Sequence, residues 1–99
     1  MSIATSISGN ELTVQVEGRF DFSAHQDFRD AYEKVDSSIS QYVVDMARTT
    51  YLDSSALGML LLLRDHAGGD NANVRIVKCN PDVRKILTIS NFEQLFSID

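Results

Sequence analysis

Ninety-nine residues suit one domain and one hydrophobic core; a second core would need a longer chain. A hydrophobic content of 43% beside 23% charged residues belongs to a folded globular protein and excludes a disordered one. The net charge of −5, with nine scattered Lys and Arg, argues against a binder of phosphate backbones, which needs clustered cations.

The longest apolar run, residues 59–63, is five residues, far short of the ~18 that cross a bilayer. The first residues carry neither a basic stretch nor the apolar segment of a secretory signal. The single Cys79 permits neither an internal disulfide nor a cysteine-based metal cluster. A cytoplasmic protein is expected, without nucleic-acid partner, membrane insertion or cofactor.

In chain order, Ile3, Thr5 and Ile7 share one face, Ser8-Gly9-Asn10 interrupts, and Leu12, Val14 and Val16 share a face again. Alternation on both sides of a turn signal predicts a β-hairpin, with Gly18 closing the second strand. Ser23 and Gln26 read as a capping box. Behind them Ala24, Phe28, Ala31, Tyr32 and Val35 recur at helical spacing, giving one amphipathic helix that Asp36-Ser37-Ser38 ends. Tyr42-Val43-Val44 is apolar without alternation, the pattern of a short central strand covered on both faces and parallel to its neighbours. Asp53-Ser54-Ser55 opens a second helix that runs to Gly68-Gly69. Residues 74–77 form a further strand. Asn80-Pro81 supplies an N-cap and a first-turn proline for a third helix, whose apolar face is Val83, Ile86 and Leu87. Leu95, Phe96 and Ile98 suit a last short strand. The expected order is β-β-α-β-α-β-α-β. It describes an α/β domain with a mixed sheet of about four to five strands, an N-terminal hairpin and about three helices, joined by right-handed crossovers.

Most chemistry-bearing residues stand alone. His25 and His66 lie on separate helices with no imidazole or thiol at ligand spacing, and read as solvated helix-face residues. Cys79 reads as a half-buried, inert thiol, because no sequence neighbour would lower its pKa. Neither a glycine-rich phosphate loop nor a G-x-S-x-G elbow occurs, so no enzyme is expected. Residues 50–63 are more informative. At about 100° per residue, Ala56, Leu57, Leu60, Leu63 and Ala67 gather on one arc, the expected core face. Ser54, Gly58, Leu61 and Asp65 lie opposite, with Met59 and Leu62 flanking the exposed side. An apolar fringe around an accessible hydroxyl suits a docking surface. Local chemistry leaves two roles open for Ser54. It is a tolerated first-turn residue behind Asp53, the better N-cap. Or it is a phosphoacceptor, since a helix N-terminus accommodates a phosphate that adds about −1.5 to −2 charges to the outward face.

Asp53-Ser54-Ser55-Ala56-Leu57-Gly58, following the Val43-Val44-Asp45 strand end, resembles the Asp-Ser-Ser-Gly-Leu-Gly segment of STAS domains, specifically the bacterial anti-sigma factor antagonists. Gly18-Arg19-Phe20-Asp21 is similar to that family's Gly-Glu-Leu-Asp loop. Val74-Arg75-Ile76-Val77, with Asn80-Pro81-Asp82-Val83-Arg84-Lys85-Ile86-Leu87, is similar to its last strand and helix. The resemblance covers residues 1–99 as a single STAS domain. It implies a regulator whose unphosphorylated form binds an anti-sigma factor, often itself a serine kinase, and so frees a sigma factor. It puts the phosphoacceptor on Ser54 and Asp21 beside it, and implies partner contacts at Asp21, Asp53, Ser55, Gly58, Leu61 and Leu62. The kinase and an opposing serine phosphatase are separate proteins. Two positions depart from the pattern: Ala56 replaces a usual glycine, adding a methyl close to the docking surface, and Arg19 replaces a usual acid beside Asp21.

Two other classes share some of these features. Asp45 at a strand end and Lys78 after a later strand resemble a response-regulator receiver, but the acidic pair and the five βα units of that fold are missing. A STAS subunit partnering an ABC transporter ATPase would use the outward leucines equally well.

Overall fold

A computed structural model describes residues 2–35 and 37–99. Strand β1 (Ser2–Ser8) turns through Gly9, at φ 60°, into β2 (Glu11–Phe20), and the two pair antiparallel from Ser2↔Glu17 to Ser8↔Glu11. There follow α1 (His25–Glu33), β3 (Gln41–Asp45), β4 (Thr49–Leu52), α2 (Ser54–His66), β5 (Val74–Val77), α3 (Pro81–Ile89) and β6 (Ser97–Ile98). The sheet runs β1-β2-β3-β5-β6, parallel everywhere except at β1, and β4 joins it off this path by pairing with β2. The mixed α/β sheet therefore has six strands, with the antiparallel hairpin at one edge.

Alternation along β2 decides which face is covered. Leu12, Val14 and Val16 are at most 1% exposed, whereas Gln15 and Glu17 turn to an open, polar face. Phe28 and Tyr32 of α1, Ala56, Leu60 and Leu63 of α2, and Val83 and Leu87 of α3 complete the core, with the Phe20 and Phe28 rings 5.0 Å apart. Each such aliphatic or aromatic side chain contributes about 1.5–3 kcal/mol by leaving water. β3 is central and parallel on both sides, with Tyr42, Val43 and Val44 buried, as its unbroken apolar run predicts. Asn80 caps α3 as expected, accepting from the Val83 N–H at 2.8 Å, while its Nδ2 donates to the Thr49 carbonyl at 3.0 Å and ties α3 to β4.

Elsewhere the structure departs from the sequence reading. Gly18 does not close β2: it takes φ 90°, a conformation open to glycine, at a register shift, and the strand continues to Phe20. The strand that receives this extension, β4, is not foreseen. Ser23 and Gln26 form no capping box. Asp21 instead caps a 3-10 turn over Phe22–Ala24 ahead of α1, the Ser23 hydroxyl donates to Asp21, and Gln26 Nε2 donates to Asp30. α1 ends at Glu33, ahead of the expected stop, of which Asp36 lies outside the described residues. Met59 is buried rather than flanking the exposed side, because α1 packs against α2 and widens its covered arc. The last strand is confined to Ser97–Ile98, with Phe96 buried against Phe92 and Leu95 largely exposed.

Candidate functional site

The site forms where two parallel strands end side by side. Arg19 pairs with Tyr51 and Phe20 with Leu52. Phe20 and Leu52 point into the core, so alternation turns Arg19 and Tyr51 outward. The next residue on each strand is an aspartate, and the register makes Asp21 and Asp53 neighbours. Both have extended backbone and both start a helical turn. An Asp21 Oδ1 accepts the Ser23 N–H at 3.0 Å, and Asp53 Oδ1 accepts the Ala56 N–H at 3.1 Å. The same local rule, strand then aspartate then helix start, is used twice at one spot.

Asp53 carries the cap of α2, which leaves Ser54 exposed at the first helical position without a capping role. Ser55 is half-buried. Gly58, one turn on, is exposed, and a Cβ built there would meet nothing within 4 Å, so packing does not demand glycine. Leu61 and Leu62 are 41% and 53% exposed, large values for leucine that leave an apolar stretch on the open side of α2, about two turns beyond Ser54. Ala56 is fully buried, which corrects the expectation of a methyl near the docking surface: it lies in the core. Two aromatics that spacing did not single out also reach this end. Phe22 is 70% exposed and stacks on His25, and Tyr51 lies under the Arg19 guanidinium, 4.1 Å from its centroid. The available signals were an aromatic directly after Asp21 and another two residues before Asp53.

The electrostatics centre on Asp21. Hydrogen bonds from the Ser23 hydroxyl and N–H hold its carboxyl below the usual carboxylate range, and Arg19, with Nε 3.5 Å from Oδ2, adds to this.

Other candidates stay apart from the site. Cys79 is half-buried, and burial pushes its thiol up despite the opposing charge of Arg84. His66 lies beside the Tyr32 ring at 5.0 Å. Lys78 Nζ does come within 3.7 Å of Asp45 Oδ2. Among the described residues, however, no group of three His, Cys, Asp or Glu could hold a metal ion beside that pair, and β1 is antiparallel, so a receiver arrangement is not formed. No helix of the described residues is long and apolar enough to cross a membrane.

Comparison with known proteins bears on the family and the fold. A STAS-domain containing protein of Pseudomonas aeruginosa (strain UCBPP-PA14) is 69% identical over 93 residues, covering 94% of this chain and 92% of that protein. The Bacillus anti-sigma factor antagonist SpoIIAA in its unphosphorylated form superposes with a TM-score of 0.74 at 14% identity, over 99% of this chain and 87% of that one. A sulfate transporter family protein from Wolinella succinogenes gives a TM-score of 0.79 at 12% identity, over 95% of this chain and 80% of that one. At such identities the two solved structures establish the fold alone. Residues 3–97 match the family described as "Mlab, STAS domain", and with a relative at 69% identity the chain belongs to the STAS domain family.

Proposed function

We propose that this chain is an anti-sigma factor antagonist. Its unphosphorylated form binds an anti-sigma factor, releasing a sigma factor, and phosphorylation of Ser54 by a serine kinase, reversed by a serine phosphatase, switches that binding off. The observation that carries this reading is the position of Ser54. It is exposed at the first turn of α2 and relieved of capping by Asp53, with Asp21 and Ser55 adjacent, Gly58 one turn on, and the exposed Leu61 and Leu62 two turns along the same helix. A phosphate there meets the positive end of the helix and leaves the core untouched. The solved likeness to SpoIIAA, known in unphosphorylated and phosphorylated forms, supports a modification-dependent role. The test is incubation with ATP and the candidate anti-sigma kinase. One phosphate per chain is expected at Ser54, absent in Ser54→Ala; label on Ser55, or undiminished label in Ser54→Ala, would refute the assignment.

A second reading, a STAS subunit partnering an ABC transporter ATPase, would use the same exposed Leu61 and Leu62 as its contact surface. Affinity capture with wild-type and Ser54→Asp baits separates the two. A transporter ATPase retained equally by both baits favours the second reading; an anti-sigma factor retained only by wild type favours the first.

A further inference from the structure

We propose that Arg19 is the internal receptor for the phosphate on Ser54, exchanging its contact with Asp21 for the phosphoryl group once Ser54 is modified; this rests on the reading of Ser54 as phosphoacceptor. Three observations converge. First, the register places Arg19 on the strand pair that ends in Asp21 and Asp53-Ser54, with adjacent strands about 4.8 Å apart, so a guanidinium already at Asp21 is within a side chain's reach of Ser54. Second, the guanidinium is held ready but not committed. The Tyr51 ring restrains it from one side at 4.1 Å, its contact to Asp21 through Nε is 3.5 Å, long for a charge-assisted hydrogen bond, and the side chain is 64% exposed. Third, the carboxylate does not depend on Arg19 alone: its Oδ1 already accepts from the Ser23 hydroxyl and N–H, and Arg19 meets only the other oxygen, Oδ2.

Other cations are engaged away from this site: Arg29 with Glu33, Arg48 with Glu17, Arg64 with Asp70 and Lys78 with Asp45. A phosphate on Ser54 would face Asp21 and Asp53, two like charges, and the positive helix end alone. A phosphate near −2, with three acceptor oxygens, is a better match for the guanidinium fork than a carboxylate already hydrogen-bonded. The exchange removes the cation from the Tyr51 face, so modification at one strand end alters the surface of both. Arginine at a position where an acid is usual thereby acquires a role.

The test uses the full chain with phosphoserine installed at position 54 during translation, which makes it independent of any kinase. Phosphorus NMR follows the second ionisation of the phosphate, ordinarily near pH 6. Pairing with Arg19 favours the dianion, so the wild-type midpoint should lie about half a unit or more below that of Arg19→Gln, with Arg19→Lys between them. In wild type the Arg19 Nε–H resonance should also move on phosphorylation and titrate with the same midpoint, a readout that needs no variant to fold. Equal midpoints in wild type and Arg19→Gln, or an Arg19 resonance indifferent to the phosphate, overturns the proposal. A failure of the kinase assay would remove the reading of Ser54 while leaving this result intact.

Discussion

Replacing Asp53 and Ser54 separately by alanine distinguishes a helix cap from a surface built upon it. Asp53 Oδ1 accepts the Ala56 N–H at 3.1 Å, one of the first-turn donors that have no acceptor inside the helix. Its loss costs about 0.5–2 kcal/mol, and removing an acid from the positive helix end adds about 0.3–1 kcal/mol. Ser54 is exposed, carries no cap, and alanine is the stronger helix former, so Ser54→Ala should fall within about ±0.5 kcal/mol of wild type. In a domain of this size about 1 kcal/mol shifts the melting temperature by roughly 4–8 °C, so the two variants should separate by several degrees. Urea titration at neutral pH, followed by circular dichroism, gives both values on one scale. If Ser54→Ala proves as damaging as Asp53→Ala, Ser54 is structural and the reasoning that frees it for modification fails.

Leu60→Ala, in the buried arc of α2, should cost about 2–5 kcal/mol by leaving a cavity, measured in the same titration. The Asp21 carboxyl should titrate by NMR below the usual range. Its folded-state pKa is depressed, so the stability it contributes is present above the unfolded value and is lost as pH falls through the folded one. Ser23→Ala, removing the hydroxyl donor, should move that midpoint upward. Phosphorylation of Ser54 should weaken anti-sigma factor binding by about 30- to 1000-fold in calorimetry at physiological salt, equivalent to ~2–4 kcal/mol; unchanged affinity would leave a passive binding module.

The parts of the fold that sequence made legible are those where one rule acted alone: period-two alternation in β1 and β2, the helical stripe of α1, and the Asn80-Pro81 start of α3. Strand β4 was hidden because only Thr49 and Leu52 of its four residues are buried, so it shows no alternation. Its β-branched and aromatic Thr-Thr-Tyr was the usable signal. A glycine that ends a strand and one that bulges a strand look alike in sequence, so the bulge at Gly18 is not legible there. The burial of Met59 is not legible on a wheel, which shows one covered face, whereas α2 is covered by both the sheet and α1. At the candidate site, spacing places Ser54 and the leucines outward, while the roles expected of Ser54 and Asp21 come from the resemblance. The stacking of Arg19 on Tyr51 needed the parallel register of two strands distant in sequence.

Strand β1 forms one edge of the sheet, and its seven residues are nearly all exposed, uncharged and free of proline, with an unshifted register to β2. Edge strands ordinarily discourage pairing with another chain through a lysine, a proline, a bulge or brevity. Here none of these interrupts the edge, so the general force opposing strand-to-strand self-association is mutual repulsion at a net charge of −5. Mild acid, which brings the chain toward its isoelectric point near 4.8, and high salt, which screens charge, both weaken that repulsion. Conditions that lower the net charge are therefore the ones under which β1 should pair with a second copy of the chain.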